Sequence, residues 1–399
     1  MNFFATTAKG MADLLATELR ELGAANIEPR PAGVAFSGSL EMAYRACLWT
    51  RVGNRILLPL ASFAAASPAE LYAGVRAIRW ADHIARGRTL AVECSVSRSQ
   101  ITHSHYAALK TKDAIVDRLR DERGTRPDVD VERPDVRVNV YVHADRAVVS
   151  IDLSGESQHR RGYRAAAAAA PLKENLAAAI LLFADWPRRA REGLPLVDPM
   201  CGSGTIPLEA ALIAGDVAPG LRRGTIGCAG WRGHDGAAWA RLRREAEARA
   251  AQGMRRIPPI YGYDADPRAV RAARANLARA DLATRVYVER RALAQCAPIA
   301  ARGGDTSAGL LVTNPPYGHR LGEPAELGPL YEALGDLLRR RFPGWTGYVL
   351  TGAPALAKRI GLRPSRRIAL YNGAIECRLL ELPISSTPVR DERGPRWRR

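Results

Sequence analysis

The sequence predicts an α/β domain with a parallel sheet, preceded by an α+β region at the N-terminus. Three short apolar runs carry this prediction, at residues 194–198, 260–264 and 309–313, and each ends in a loop rich in glycine, proline or carboxylate residues. Apolar helices follow the first two loops, and repeated strand–loop–helix units are typical of a parallel sheet. A chain of 399 residues is also too long for one ordinary core, so we expect more than one domain.

The first 155 residues predict the α+β region. Apolar side chains recur at helical spacing over residues 11–22, Gly23 then ends the helix, and residues 33–36 form a short apolar strand. Further along, a helix is predicted at 107–120 and two alternating strands at 136–142 and 147–153. The segment 143–146 between these strands can turn a hairpin.

The composition is that of a globular protein, but the charge balance is strongly basic. With 47% hydrophobic and 25% charged residues, the sequence excludes a disordered chain, a collagen-like chain and a disulfide miniprotein. The 59 Lys+Arg against 41 Asp+Glu give a net charge of +18, which favours a polyanionic partner. Residues 181–384 hold 30 basic and 19 acidic residues, whereas residues 56–155 hold 14 and 13. The candidate phosphate contacts are an arginine-rich helix at 237–256 and Arg339, Arg340 and Arg341. For any one of these arginines, a place on a solvated helix face is an equal alternative.

Cysteine usage and the apolar runs predict a cytoplasmic protein. The six cysteines form no C-x-x-C pair and no Cys/His cluster, which argues against a zinc site and against a disulfide framework. The N-terminus has no basic segment followed by a long apolar run, and the longest apolar stretch, 176–184, is far shorter than a membrane span. We expect a monomer without a bound metal or a membrane attachment.

The first loop of the α/β domain carries the strongest local signal. Asp198 ends a strand and is followed by small residues that open a helix, so backbone N–H groups can approach a ligand closely. The third glycine of a dinucleotide motif is absent, because Pro207 stands in its place, and no Gly-Lys-Ser/Thr follows as in a phosphate-binding P-loop. The loop residues that we predict to bind a cofactor are Asp198, Pro199, Cys201, Gly202, Ser203, Gly204 and Thr205.

Two carboxylates follow the second strand. Asp264 ends this strand, where a carboxylate can bind both hydroxyls of a ribose. Asp266 is either a second ligand or the N-cap of the helix that begins at Pro267. An insertion at 215–258 accounts for the long separation between Asp198 and Asp264.

The third strand ends in Asn314-Pro315-Pro316-Tyr317-Gly318. At the carboxyl edge of the same sheet, the Asn314 side-chain oxygen and a rigid Pro315 carbonyl can accept the hydrogens of an amine and orient its lone pair toward an electrophile. Tyr317 can stack on a flipped base. Asn314, Pro315, Pro316 and Tyr317 are therefore the predicted catalytic residues.

Together these motifs resemble the THUMP-containing class I RNA methyltransferases, and most of all the bacterial 23S rRNA guanine-N2 methyltransferases. The resemblance covers residues 1 to about 384 and rests on the Asp198 and Asn314 loops and on four further segments. These segments are residues 3–10, 106–116, Arg161-Gly-Tyr-Arg164 and Pro171-Leu-Lys-Glu174. It implies S-adenosylmethionine as the cofactor, with Lys173 among its ligands, and RNA contacts at Lys110, Lys112, Arg161, Tyr163 and Arg164.

The resemblance also implies the domain organisation. A ferredoxin-like domain is expected at 1–55, a THUMP RNA-binding domain at 56–155, a linker with the first methyltransferase helix at 156–180, and a Rossmann-like methyltransferase domain at 181–384. The basic tail at 385–399 is expected to be disordered. The second methyltransferase half of the longer relatives is expected to be absent.

One departure from the family pattern concerns adenine binding. The family carries an acidic residue after the strand near 286–290, and Ala292 stands at that place here. Adenine recognition is then expected to fall to backbone groups, or the affinity for the cofactor is lower.

The favoured function is methylation of the exocyclic N2 of a guanine in 23S rRNA. The same chemistry on tRNA is the first alternative, and a non-catalytic RNA-binding assembly factor is the second. Methylation of an amine in DNA would fit the Asn314 loop, but it leaves the N-terminal module without an explanation.

Overall fold

The computed structural model describes residues 1–164, 172–301, 303–317 and 324–386, with side chains from 327 in the last range. Pro171, Gly318 and most of the basic tail lie outside the described residues. The chain divides into two compact units. The N-terminal unit comprises Met1–Gly162 and Ala218–Ala246, and the C-terminal unit comprises Tyr163–Val217 and Glu247–Arg399. The predicted insertion is therefore shared, and its central part belongs to the N-terminal unit.

The N-terminal unit is built on one seven-stranded sheet in the order β2-β3-β1-β4-β7-β6-β5, in which only β5 and β6 pair in parallel. Its strands are β1 Asn2–Thr7, β2 Ala25–Arg30, β3 Gly33–Ser37, β4 Gly53–Ala64, β5 Leu90–Ser97, β6 Val136–His143 and β7 Arg146–Asp152. Its first helices are α1 Ala12–Glu21, α2 Leu40–Trp49, α3 Pro68–Ala77 and α4 Ser104–Arg123. Because β4 pairs with both β1 and β7, the predicted boundary at residues 55 and 56 lies within a strand of a continuous sheet.

Turn chemistry explains the local predictions that hold in this unit. The helix predicted at 11–22 is α1, and Gly23 after it has φ +93°, a left-handed conformation that glycine adopts without strain. The predicted hairpin joins β6 to β7 through Ala144 and Asp145, both with positive φ. The Asp145 carboxylate holds this turn by accepting the Ser99 hydroxyl at 2.7 Å.

The part of the insertion at 218–246 packs on α2. The backbone N–H of Gly220 donates to the carbonyl of Leu48 at 2.9 Å, and the N–H of Asp235 donates to the Tyr44 hydroxyl at 2.9 Å. The Tyr44 ring is fully buried and meets Trp239 edge-on, with 5.9 Å between ring centroids. These contacts make the insertion a structural part of the N-terminal unit.

The C-terminal unit contains the predicted α/β sheet, in the order β10-β9-β8-β11-β12-β14-β13. Six of these strands run in the same direction, and β14, which lies between β12 and β13, is antiparallel to both of its neighbours. The strands are β8 Leu196–Asp198, β9 Ile260–Asp264, β10 Tyr287–Arg290, β11 Leu310–Thr313, β12 Thr346–Thr351, β13 Arg366–Asn372 and β14 Ile375–Pro383. The remaining helices are α5 Glu174–Phe183, α6 Trp186–Arg191, α7 Thr205–Ala214, α8 Gly236–Gly253, α9 Pro267–Arg279, α10 Pro324–Arg341 and α11 Pro354–Arg359, and the chain passes from the insertion back to the C-terminal unit within α8.

This strand order confirms the predicted fold class and locates the crevice of the sheet. The chain runs outward from β8 through β9 to β10 and then returns to the other side of β8 as β11. In open α/β sheets, ligands bind at the carboxyl ends of the strands where the order reverses in this way. Within the described residues, no helix has the length and apolar character needed to cross a membrane.

Candidate active site

The parallel sheet brings the three predicted loops to one edge. Asp198 of β8 pairs in register with Gly262 of β9, and Leu311 of β11 pairs with Val197 of β8. Asp198, Asp264 and Asn314 therefore follow or end neighbouring parallel strands at the same edge of the sheet.

The loop after β8 is shaped by two glycines and anchored to β9. Gly202 and Gly204 have φ of +54° and +81°, which only glycine adopts readily. The backbone N–H of Cys201 donates to the carbonyl of Tyr263, and the N–H of Gly202 donates to the Asp264 carboxylate, both at 2.8 Å. α7 begins directly after Gly204, so its first N–H groups open toward this edge.

Asp198 lies beneath this loop. The residue is 1% exposed, and its carboxylate accepts the backbone N–H of Met200 at 3.2 Å. Burial raises the pKa of Asp198 to about 7, with Thr313 and the Met200 N–H opposing the shift and the nearby Asp264 charge adding to it. Pro199 is buried beside it. Asp198 therefore changes between its protonated and its ionised form near neutral pH.

Asp264 and Asp266 have different roles. Each oxygen of Asp264 accepts one backbone N–H, from Gly202 at 2.8 Å and from Asp266 at 2.9 Å, which leaves further acceptor capacity on a half-buried carboxylate. Asp266 caps α9: its carboxylate accepts the N–H of Arg268 at 2.8 Å and also pairs with the Arg268 guanidinium. Of the two interpretations left open for Asp266, the structure shows the helix cap.

Cys201 packs against the strand below it. A methyl group added at Gly262 would lie 3.0 Å from the Cys201 sulfur, so the glycine makes room for this side chain. Burial holds the pKa of the Cys201 thiol well above its usual value, and the two neighbouring carboxylates act in the same direction. The thiol is therefore protonated and unsuited to nucleophilic attack.

The Asn314 loop presents an unused hydrogen-bond acceptor. Asn314 follows β11, and its side-chain oxygen Oδ1 is buried without a hydrogen-bond partner among the described residues. Pro315 is buried, while Pro316 and Tyr317 are half-buried. A buried acceptor left unpaired costs free energy, so its presence here indicates a site that a donor from a ligand completes.

Residues far along the chain hold the second half of this loop. The Pro316 carbonyl accepts the Tyr331 hydroxyl at 3.2 Å. The Tyr317 hydroxyl accepts the side-chain amide of Asn372 at 3.0 Å, and the Tyr317 ring lies so close to Gly352 that a methyl group there would be 2.8 Å from it. Tyr331, Gly352 and Asn372 were not predicted from the sequence, because no local motif marks them.

In the segment after β10, Ala292 stands where the family carries the acidic residue for adenine. Ala292 is exposed and precedes a short 3-10 turn. Before it, the Arg291 guanidinium lies 4.6 Å from the centroid of the Tyr263 ring and pairs with the Glu289 carboxylate at 3.1 Å. This edge of the crevice is therefore lined by a stacked cation rather than by an unpaired acidic side chain.

Arg164 joins the segment before α5 to the loop after β8. Its guanidinium pairs with Glu174 at 3.0 Å and donates to the hydroxyls of Ser203 at 3.3 Å and Thr205 at 3.4 Å. Lys173, predicted to bind the cofactor, is exposed at the residue before α5.

Three of the predicted RNA contacts have internal partners instead. Arg161 is 2% exposed and donates to the carbonyls of Gln158 and Arg51. Tyr163 is 1% exposed and donates to Glu209 at 2.9 Å. Neither side chain is available to RNA in this structure, and we correct these two assignments to structural roles; Arg164 is committed to the pairings described above.

The other two predicted RNA contacts lie on α4. Lys110 and Lys112 are half-buried at its surface. The Lys110 ammonium is 5.8 Å from the centroid of the exposed Tyr106 ring, and Lys112 pairs with Asp113. Both remain predictions.

Three family models match the chain, one for each region. The model described as "RMKL-like, methyltransferase domain" matches residues 161–381, the THUMP domain model matches residues 65–152, and the RlmL ferredoxin-like domain model matches residues 2–57. The first of these covers more than half of the 399 residues.

Curated and solved relatives agree with these models. The Ribosomal RNA large subunit methyltransferase K/L of Syntrophotalea carbinolica is 52% identical over 385 residues, which are 96% of this chain and 54% of that protein. The chain thus spans about half the length of the curated relatives it matches. Two solved structures resemble nearly the whole chain. SMU.472, described as a methyltransferase in complex with SAH, is 30% identical with a TM-score of 0.84, and the match covers 98% of this chain and 99% of that one. A protein of Listeria monocytogenes, described as a predicted N6-adenine-specific DNA methylase, is 29% identical with a TM-score of 0.82, and the match covers 96% of each chain.

The loops at the switch point of the sheet and the matching models lead to the same assignment. The ferredoxin-like and THUMP regions precede an α/β methyltransferase domain, as the resemblance implied. The chain therefore belongs to the RMKL-like methyltransferase family, whose cofactor is S-adenosylmethionine.

Proposed function

We propose that the chain transfers a methyl group from S-adenosylmethionine to the exocyclic N2 of a guanine in 23S rRNA. The observation that carries the proposal is the buried Oδ1 of Asn314 at the switch point of the sheet, for which the described part of the chain offers no hydrogen-bond partner. Such an acceptor suits an N–H donor that arrives with the substrate, and the exocyclic amine of a nucleobase is such a donor.

The residues at the edge of the sheet fit the cofactor. Asp264 has acceptor capacity for ribose hydroxyls, and the turn at Gly202 and Gly204 lets backbone groups approach the ligand closely. The buried Asp198 carboxyl group lies beneath the loop, and its ionised form would complement the positive charge of the cofactor. When bound, S-adenosylmethionine supplies an electrophilic methyl group.

The Asn314 loop would orient the amine. Asn314 Oδ1 and the Pro315 carbonyl each accept one hydrogen of the guanine N2 amine, which turns the nitrogen lone pair toward the methyl group. The methyl–nitrogen bond forms as the methyl–sulfur bond breaks, and the nitrogen then loses a proton to solvent. A strong base is unnecessary because the proton leaves from a cationic nitrogen. Tyr317, which is half-buried beside this loop, would stack on the flipped base.

A covalent route through cysteine is disfavoured by the same geometry. Cys201 is buried, protonated and packed on Gly262. Direct transfer to an amine needs no nucleophile from the enzyme, so we expect no covalent enzyme–RNA intermediate.

RNA as the substrate is supported by the THUMP match, by the basic charge, and by the ribosomal RNA methyltransferases among the relatives. The description of the Listeria monocytogenes protein favours a second candidate, methylation of adenine N6 in DNA. The Asn314 loop fits either amine, so the product must decide between them. A tRNA substrate would give the same nucleoside as rRNA and is distinguished by the RNA that carries it.

Nucleoside mass spectrometry tests the proposal. We expect N2-methylguanosine in 23S rRNA after reaction of unmodified ribosomal RNA with the protein, and Asn314→Ala should lower the rate of the chemical step by about two orders of magnitude, the scale of losing a preorganised polar contact in a dry site. Cofactor affinity should be unchanged in this variant, because Asn314 lies outside the loop after β8. A 5-methylpyrimidine product, N6-methyladenine in DNA, or full activity in Asn314→Ala would contradict the proposal.

A further inference from the structure

A directed chain of hydrogen bonds ends on the carbonyl of Pro316. The backbone N–H of Ala353 donates to Thr351 Oγ1 at 3.2 Å, the Thr351 and Tyr331 hydroxyls are 3.0 Å apart, and the Tyr331 hydroxyl donates to the Pro316 carbonyl at 3.2 Å. A carbonyl can only accept, and the Tyr331 hydroxyl has a single hydrogen, so its bond to Pro316 fixes the direction of its bond with Thr351. Thr351 must therefore donate to Tyr331, and the Tyr331 hydrogen must point at Pro316.

The central hydrogen bond of this series, between Tyr331 and Thr351, is buried in the core. Tyr331 is completely buried on α10, and Thr351, the last residue of β12, is 1% exposed. The Tyr331 ring packs in the hydrophobic core of the C-terminal unit, which also includes Leu334 and Val349. Ring packing and hydroxyl bonding can thus be separated by a single substitution, because phenylalanine preserves the ring and removes the hydroxyl.

Between Asn314 and Tyr317, the sequence of the loop leaves only the ψ angle of Pro316 without a local restriction, and the hydrogen bond from Tyr331 can set this angle. Asn314 and Pro315 both precede prolines, which restricts their ψ angles to extended values, and the rings of Pro315 and Pro316 fix φ near −65°. The ψ angle of Pro316 has no such local restriction. Its value decides the direction of the Pro316 carbonyl and, with it, where Tyr317 begins relative to Asn314.

We propose that Tyr331 is a positioning residue for methyl transfer, which acts through the Pro316 carbonyl to hold Asn314 and Tyr317 at the separation that the substrate base requires. This inference rests on the proposed methylation of an exocyclic amine. Tyr331 is completely buried, and its hydroxyl reaches the loop through the Pro316 carbonyl. Its hydroxyl holds the direction of the Pro316 carbonyl, and a displacement of about 1 Å at such a site lowers rates on the order of 100-fold.

Kinetics of hydroxyl-deletion variants test the inference. Methyl transfer from labelled S-adenosylmethionine is measured on total RNA lacking the native modification, so that the label is scored whichever nucleotide accepts it. Tyr331→Phe is expected to lower kcat on the order of 10- to 100-fold, with little change in the dissociation constant of the cofactor. Tyr348→Phe is the matched control: Tyr348 is 3% exposed on β12 and should retain wild-type kcat.

Thr351 supplies a readout that a merely structural role would not give. Thr351→Val removes the donor to Tyr331 and should lower kcat like Tyr331→Phe, whereas Thr351→Ser keeps the hydroxyl and should restore activity. The double variant Tyr331→Phe/Thr351→Val should be no slower than the worse single variant, because both break one chain. Wild-type kcat in Tyr331→Phe, or multiplicative losses in the double variant, would overturn the inference. Failure of the wild-type protein to label any RNA would instead overturn the proposed function on which it rests.

Discussion

At the scale of single residues, the buried carboxyl group of Asp198 makes the loop after β8 sensitive to pH. Its pKa of about 7 arises mainly from burial, so the folded protein keeps a proton that the unfolded chain releases near the ordinary value of 3.8. Between these two values the folded state binds more protons than the unfolded state. Asp198 therefore lowers the stability of the ligand-free protein as the pH rises from about 4 to 7.

A cationic cofactor should reverse this preference. Because the positive ligand favours the charged carboxylate, its binding should displace the proton, and its affinity should rise between pH 6 and pH 8. One pH unit below the pKa only about a tenth of Asp198 is ionised, so the dissociation constant at pH 6 should be about tenfold higher than at pH 8. Calorimetry in buffers of different ionisation enthalpy measures both the affinity and the proton release.

Asp198→Asn provides the control for this prediction. The amide cannot titrate, so the variant should bind with an affinity that is nearly constant over this pH range. The same pH dependence in Asp198→Asn as in the wild-type protein would show that another group is responsible.

At the scale of the elements, the pair of Arg164 and Glu174 fastens α5 to the start of α7. The side chains are 19% and 5% exposed, and the guanidinium also reaches Ser203 and Thr205. Removing Arg164 leaves a buried carboxylate without its partner. Arg164→Ala should therefore lower the free energy of unfolding of the C-terminal unit by about 3 kcal/mol, which urea denaturation measures.

A surface pair on neighbouring helices is the control. Arg359 and Glu332 are 61% and 51% exposed at 2.8 Å, and an exposed pair contributes at most about 1 kcal/mol. Arg359→Ala should hence have a much smaller effect. Equal decreases in the free energy of unfolding of the two variants would contradict the assignment of Arg164 to a buried, stabilising ion pair.

The elements also show what the sequence could predict. The strands at 196–198, 260–264 and 310–313 were predictable because their apolar runs end in glycine, carboxylate or proline signals that act locally. For the same reason the Asp198, Asp264 and Asn314 loops could be placed at one edge. The pairing of β4 with both β1 and β7 could not be predicted, because it depends on contacts between distant segments.

Residues that contact the site from distant parts of the sequence, and that belong to no motif, could not be predicted. Tyr331 and Asn372 lie 15 and 55 residues from the loop positions they contact, in segments whose patterns indicate only packing. The burial of Arg161 was likewise unpredictable, because an arginine with no visible partner in sequence is expected at the surface. Its partners are backbone carbonyls, which no motif reveals.

At the scale of the whole molecule, the basic charge lies mostly on the α/β domain. Arg339 donates to the carbonyls of Ile360 and Gly361, and Arg340 and Arg341 are exposed at the end of α10. We expect the α/β domain to supply most of the nonspecific affinity for RNA and the nearly neutral THUMP region to recognise its shape.

Salt dependence of RNA binding by the full chain checks this division. Removing one cation that neutralises a phosphate flattens the plot of log affinity against log salt by about 0.7 for single-stranded RNA. Arg340→Gln/Arg341→Gln should flatten the slope more than Lys110→Gln/Lys112→Gln, with thermal melting as a check on folding. A larger change from the lysine pair would assign the electrostatic contacts to the THUMP region instead.

The division of the chain into interleaved units constrains how it is made. The N-terminal unit lacks residues 218–246 until long after residue 162 has been synthesised, since the first part of the α/β domain is translated in between. At ordinary rates of synthesis this delay lasts roughly 4 to 17 seconds. Throughout it, Tyr44 has neither Asp235 nor Trp239 as a neighbour, so the nascent N-terminal unit must wait on the ribosome with the packing surface of α2 uncovered.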